Sequence, residues 1–170
     1  AHNIILTSSY LNLILNVKLM KYAIIASEKD PAGLNIVAHL KKLDFKYPIH
    51  IVKEDIIYCD NLNLDADAYI FASRHSSKTG TPTLSVHSIG NFGKAQFGGD
   101  DKIIPTTLPS LMKHAFLFFK KNNTVNFEVE NEATHHGPRV KKPCLFLEIG
   151  SKEEEWINEE AGLIVAKAIK

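Results

Sequence analysis

The chain has 170 residues, 45% hydrophobic and 23% charged, and its 20 Lys and Arg against 19 Asp and Glu leave a formal net charge of +1. This composition fits one soluble globular domain of ordinary size and argues against an intrinsically disordered chain, a collagen-like repeat and a disulfide-stapled miniprotein. Near-neutrality also excludes a global field toward nucleic acid or acidic lipid, so a nucleic-acid partner has to meet a local patch. A domain of this length buries about 70% of the surface of its unfolded chain, so a metal would serve chemistry rather than folding.

Residues 1–19 form a mixed stretch in which Thr7, Ser8, Ser9, Asn12 and Asn16 interrupt the apolar run from Ile4. It fits neither a membrane span nor a signal peptide and reads as an N-terminal extension, with Met20 as a candidate start of the domain over 20–170. A strand is expected over Lys21–Ala26. A helix follows, with Asp30 as N-cap and Pro31 at its first position, running to about Leu43. Two extended runs, Ile49–Val52 and Ile56–Tyr58, precede a short apolar strand at Ala68–Ala72. A polar loop from Ser73 to Pro82 then leads to a strand at Thr83–Val86 that delivers His87.

Four of the nine glycines fall between Gly90 and Gly99, marking a loop with unusual backbone angles. A helix starts around Thr107 and Pro109, places Phe116, Phe118 and Phe119 toward the core by their spacing, and stops at Lys120–Asn123. Val125, Phe127 and Val129 alternate with Asn126, Glu128 and Glu130, the period of a half-buried strand. The loop Asn131–Pro143 leads to an apolar strand at Cys144–Ile149. Ser151 and Glu154 have the spacing of a capping box, followed by a helix with Trp156, Ile157, Ala161, Ile164, Val165 and Ala168 on one side. That helix has no stop signal before Lys170, which suggests a domain continuing beyond this chain. The order of elements predicts a layered α/β domain, α/β/α, around a mixed sheet.

Cys59 and Cys144 are isolated in apolar surroundings and make no CxxC pair, so they are expected as buried core thiols in a reducing, cytoplasmic compartment. Four of the eight histidines, His75, His87, His135 and His136, stand in loops or at strand ends, where α/β domains place their sites. Arg74 adjoins His75, Glu132 lies three residues before His135, and Glu148 ends a buried strand. Imidazoles with carboxylates suit zinc, which activates water for attack on an ester carbonyl, but no HExxH or finger spacing is present. The same groups also suit acid–base chemistry without metal. Lys78, Lys94, Arg139, Lys141 and Lys142 lie in the surrounding loops, where they would suit phosphates or simply face solvent.

SRHSS at Ser73–Ser77, GTPTLSVH at Gly80–His87, GNFG at Gly90–Gly93, FGG at Phe97–Gly99, EATHHGP at Glu132–Pro138 and EIGS at Glu148–Ser151 followed by Glu155 and Trp156 together resemble the archaeal and plant type of D-aminoacyl-tRNA deacylase. The resemblance runs from about Met20 to the end. It implies a fold related to peptidyl-tRNA hydrolases and nucleoside phosphorylases, a monomer, zinc dependence, and hydrolysis of the ester joining a D-amino acid to the tRNA 3′ end.

On that resemblance, His75, His87, Glu132, Thr134, His135 and His136 are the expected catalytic residues, and His87, His135, His136 and Glu148 the expected zinc ligands. Ser73, Arg74, Gly90 and Asn91 would line the substrate, Thr134 and the backbone of Gly90–Gly93 would face the oxyanion, and Arg139, Lys141 and Lys142 would contact phosphates. Two departures stand out. The family continues into a further Gly-rich, His-containing segment, whereas this chain stops at Lys170, and it lacks the N-terminal stretch. A hydrolase of a small ester or amide, or an inactive RNA-binding fragment of the same fold, are the alternatives.

Overall fold

A computed structural model describes residues 20–170; the expected N-terminal extension, 1–19, lies outside the described residues. Six strands form one mixed sheet: β1 Tyr22–Ser27, β2 Ile49–Val52, β3 Ala68–Arg74, β4 Thr83–His87, β5 Glu128–Asn131 and β6 Cys144–Gly150. Their order is β2-β1-β3-β6-β4-β5, with every neighbouring pair parallel except β4 and β6. The helices are α1 Pro31–Lys42, α2 Pro109–Asn122, α3 Glu153–Trp156 and α4 Glu159–Ile169. The α/β domain around a mixed sheet is thus as the sequence implies.

The two faces of the sheet differ. Ile24, Ile70, Ala72, Leu84, Val86, Leu145, Leu147 and Ile149 pack with Ile36 and Leu40 of α1, Ala115 and Phe119 of α2, and Ile164, Val165 and Ala168 of α4. The opposite face carries Ala23, Ile25, Tyr69, Phe71, Cys144 and Phe146 beneath Ile56, Cys59, Ala66, Ile89 and Val140. Among the described residues that second layer is loop and a single 3-10 turn. Each fully buried Leu, Ile or Phe contributes about 1.5–3 kcal/mol. Both cysteines are free and buried on this side of the sheet, Cys59 in the loop layer and Cys144 on β6, as the apolar flanks led one to expect.

Four local expectations are corrected. Ile56–Tyr58 is a 3-10 turn closed by Tyr58 N–H donating to the Asp55 carbonyl at 2.9 Å, not an extended run. The strand expected from Val125 begins only at Glu128, because Asn126 takes a left-handed φ of 57° and Asn123 bonds both backbone groups of Phe127. The C-terminal capping box shifts by one residue. The Ser151 hydroxyl donates to the Thr81 carbonyl, and the buried Glu155 carboxylate accepts the amides of Ser151 and Lys152 at 3.2 and 2.7 Å. Finally, the last helix is two helices, and Ile157 at the break is exposed. Asn158 caps α4 through Ala161 N, while the Asn35 amide on α1 donates to the Trp156 and Asn158 carbonyls, which takes up carbonyls at the junction.

Candidate functional site

Strand register builds the site. Side chains alternate across a sheet, so Tyr69, Phe71 and Ser73 on β3 share a face with Cys144, Phe146 and Glu148 on β6. Ser73 pairs with Glu148, Glu148 with Ser85 on β4, and Ser85 with Glu130 on β5, giving one polar row across four strands. On β1 the same face carries Ala23 and Ile25 and then the buried Ser27, whose hydroxyl donates to the Glu54 carbonyl. β3 and β4 run past the boundaries expected for them, so Ser73, Arg74 and His87 are strand residues held by ladder hydrogen bonds, while Glu148 lies within β6 as expected.

Beyond β3, the His75 amide donates to the Ile149 carbonyl at 2.9 Å, and the Trp156 indole N–H donates to the His75 carbonyl at 2.8 Å. His75 Nδ1 then lies 3.2 Å from Glu132 Oε1 and 3.7 Å from Glu148 Oε2, and His87 Nε2 lies 3.5 Å from the same Glu148 oxygen. The order Glu132, His75, Glu148, His87 alternates acid and imidazole, and His75 and Glu148 are the members that line the cleft. Hydrogen bonds to Glu132 and Glu148 outweigh burial and push the His75 imidazole up to about 10, so it is a cation at neutral pH. Burial disfavours the charged form of Glu148, yet His75 and His87 hold its carboxyl well below the usual range. For Glu132, burial is outweighed by His75, and the net shift is downward. For His87, burial is outweighed by Glu148, and the net shift is upward.

His87, His135 and His136 share one tautomeric constraint. Their Nδ1 atoms lie 2.9, 2.6 and 2.6 Å from the carbonyls of Ser88, Ala133 and Gly137. A carbonyl only accepts, so each Nδ1 carries the proton and each neutral ring keeps its lone pair on Nε2. Burial pushes His136 down to about 4, which leaves it neutral at neutral pH. His87 Nε2 is fully buried with no hydrogen-bond partner, despite facing Glu148.

His87, His136 and Glu148 each offer a ligand atom within 4.8 Å of the others. The buried, unpartnered Nε2 of His87 together with this donor set fits a metal. His135 does not join that group, although its ring centroid lies 5.0 Å from His87 and 4.7 Å from His136; it is exposed at the mouth. His75, Glu130 and Glu132 form a second such group.

A cleft of about 330 Å³ opens over this cluster, lined by Ser73, His75, His135, His136 and Glu148 and by Asp30, Asp55 and Phe97. Asp30 carries no mark in the sequence of belonging here, since it reads as a helix cap, whereas Phe97 stands in the FGG stretch that carries the resemblance. Arg74 lines the cleft too, but its guanidinium is held by the Lys29 carbonyl, by Asp55 at 3.5 Å and over the Trp156 ring.

Other expected substrate contacts are engaged within the protein. Gly90 N–H donates to the His136 carbonyl at 2.7 Å, Asn91 N–H to the Ile103 carbonyl, and the Asn91 amide to Gly98 and Asp100. The Thr134 and Ser88 hydroxyls bond each other. Arg139 is paired with Asp60 and Asp100, and Lys142 Nζ caps the Leu64 and Ala66 carbonyls. Lys141 is exposed. Gly98 has φ +73°, and a Cβ there would sit 2.0 Å from the Ile57 carbonyl, so glycine is required where the loop crosses the 3-10 turn.

Fold and site together define an α/β domain with an imidazole–carboxylate centre on one face of a mixed sheet. A family model described as D-aminoacyl-tRNA deacylase matches residues 62–170, and the chain belongs to that family. It is 45% identical over 125 residues to the D-aminoacyl-tRNA deacylase of Thermococcus onnurineus, covering 68% of this chain and 46% of that protein. With the Pyrococcus abyssi D-aminoacyl-tRNA deacylase it shares 36% over 172 residues, covering 86% of this chain and 63% of that protein. A solved crystal structure of a conserved protein of unknown function superposes with a TM-score of 0.83 at 36% identity, covering 88% of this chain and 62% of the other. The chain thus spans about half to just under two thirds of the length of these relatives.

Proposed function

We propose that this chain carries the hydrolytic centre for the ester of D-aminoacyl-tRNA, releasing free D-amino acid and tRNA. The single observation that carries the proposal is the His75, His87, His136 and Glu148 cluster at the floor of the cleft, with His135 at its mouth. In the proposed reaction His135 Nε2, left as an acceptor by the bond from Nδ1 to Ala133, takes a proton from water as its oxygen attacks the ester carbon. The cationic His75 faces the negative charge that develops on the carbonyl oxygen. The carbon–oxygen bond to the ribose then breaks, and the ribose oxygen leaves with the proton returned by His135. Glu132 and Glu148 keep His75 charged and fixed.

Zinc would be held by His87, His136 and Glu148, and when bound it would supply Lewis acidity to water or carbonyl. The low affinity of His136 for protons suits this, since its lone pair stays available to metal across the neutral range. No helix among the described residues is long and apolar enough to cross a membrane, and two free buried thiols support a reducing, cytoplasmic setting.

The test is release of D-tyrosine from D-tyrosyl-tRNA beside the L form, before and after chelation and zinc restoration. D-selective release restored by zinc is the expected result. Equal hydrolysis of a simple D-amino acid ethyl ester, with no response to tRNA, would overturn the substrate in favour of a small-ester hydrolase. Because the chain spans only part of its relatives, salt-dependent tRNA binding without turnover by the folded, zinc-loaded chain would mark it as the binding part alone.

A further inference from the structure

We infer that a second cleft, contiguous with the first, receives the 3′-terminal nucleotide of the tRNA by stacking its base on Phe92 and Phe97. This rests on the proposed function for the identity of the ligand, not for the existence of the site. The second cleft, of about 320 Å³, is lined by Asn91, Phe92, Lys94, Gln96, Phe97 and Thr134, and it shares His135 and Phe97 with the first. The pair therefore forms one trough with the exposed imidazole of His135 at the divide.

The two halves differ in chemistry as the two halves of the ligand do. Asp30, Asp55 and Glu148 line the first cleft with Arg74 and His75, whereas no carboxylate lines the second, which adds the exposed Lys94. An aminoacyl group, with its ammonium, matches the first; a base, a ribose and a phosphate match the second. The ester that joins the two parts would then lie at His135.

The phenylalanines have no structural duty that explains them. Phe92 is 74% and Phe97 54% exposed, and neither belongs to either core cluster. Exposed aromatic faces are costly unless a partner covers them, and any base offers a π face to stack. The loop that presents them is braced on several sides. The Asn91 amide donates to the Gly98 carbonyl, Ala95 N–H to Asp101, Lys102 N–H to the Gly93 carbonyl, and Gly137 N–H to the Phe97 carbonyl. Two apolar rings held apart from the core on a braced loop form a preorganised platform.

The probe is a CCA trinucleotide carrying no amino acid, whose binding to the chain is followed by fluorescence anisotropy and does not depend on turnover. Phe92→Ala and Phe97→Ala should each weaken binding by about 5-fold to 150-fold, the range of one base–aromatic stack. Phe97→Trp should retain binding, and Lys94→Gln should reduce the slope of log affinity against log salt by about 0.7. Leu117→Ala, exposed on α2, serves as the surface control and should change nothing. Both phenylalanines are exposed, so unchanged melting of the variants is expected and verifies their folding.

Unaltered trinucleotide affinity in both alanine variants, or no binding by the wild-type chain, would overturn the inference. So would a dimer in sedimentation that either variant dissociates, which would make the platform a contact between copies. Trinucleotide binding that depends on the phenylalanines, in a chain that fails to release D-tyrosine, would leave the platform standing while the hydrolytic reading fell.

Discussion

The buried carboxylate of Asp30 joins the start of α1 to the end of β3: Oδ1 accepts the Gly33 amide at 2.9 Å, and Oδ2 accepts the Arg74 amide at 2.9 Å. Asp30→Ala removes the cap, worth about 1 kcal/mol, and leaves the Arg74 N–H unsatisfied, a further cost of about 1–3 kcal/mol. Urea denaturation should show that combined loss, with Asp30→Asn in between. Burial raises the Asp30 pKa above its ordinary 3.8 despite the two amides and the Arg74 charge. The unfolded chain therefore gives up this proton first, and Asp30 costs the folded state more as pH rises above 3.8. Asn has no such cost, so the deficit of Asp30→Asn relative to wild type should shrink between pH 4 and pH 7.

Gly150 lies against His75. A Cβ at Gly150 would meet His75 Cβ and Cδ2, and Thr83 Oγ1, each at 2.7 Å. Gly150→Ala should displace the imidazole from Glu132 and Glu148 at a cost of about 1–3 kcal/mol in stability. The chain should remain folded while deacylation falls at least tenfold. Thermal melting run beside single-turnover hydrolysis separates the two effects, and retention of wild-type turnover would show that the position of His75 does not matter to the reaction.

Zinc binding at His87, His136 and Glu148 should release protons, because Glu148 raises the proton affinity of His87 and ligation requires its Nε2 unprotonated. Calorimetry of zinc binding in buffers of different ionisation enthalpy counts them. His87→Ala or Glu148→Gln should lower zinc stoichiometry measured by atomic emission. His135→Ala should leave it intact, since His135 stands outside this ligand group.

Burial pushes both thiols up to about 12, so neither is a thiolate at pH 8. A thiol reagent at that pH should leave the native chain unlabelled and modify both on unfolding. Cys59 and Cys144 belong to the loop-covered core. Labelling at intermediate denaturant, before helical circular dichroism is lost, would show that layer opening first.

The strands around the site were legible because β3, β4 and β6 are runs of apolar and β-branched residues, and Asp30 followed by Pro31 announced α1. The imidazoles were legible as a group from their positions at strand ends. Their division of labour was not. That His75 is a cation depends on the carboxylates the register brings beside it, and that His136 is neutral depends on its burial; a linear sequence displays neither that burial nor the pairing of Glu148 with both Ser73 and Ser85. The same holds for the basic residues: Arg139 and Lys142 read as phosphate contacts, but Asp60, Asp100 and two loop carbonyls occupy them. The break between α3 and α4 was missed because the apolar pattern continues across it and hides the start signal of Asn158 followed by two glutamates.

Gly90 N–H bonded to the His136 carbonyl, and Gly137 N–H bonded to the Phe97 carbonyl, fasten two loops to each other by their backbones. A Cβ at Gly137 would lie 2.4 Å from Gly99 N, so the crossing has no slack. Loops clasped in this way cannot swing as independent lids over the cleft. Entry and departure of a ligand would then be timed by diffusion and by the strength of its contacts, with no gating motion between arrival and reaction, and a burst limited by loop closure should be absent from the kinetics.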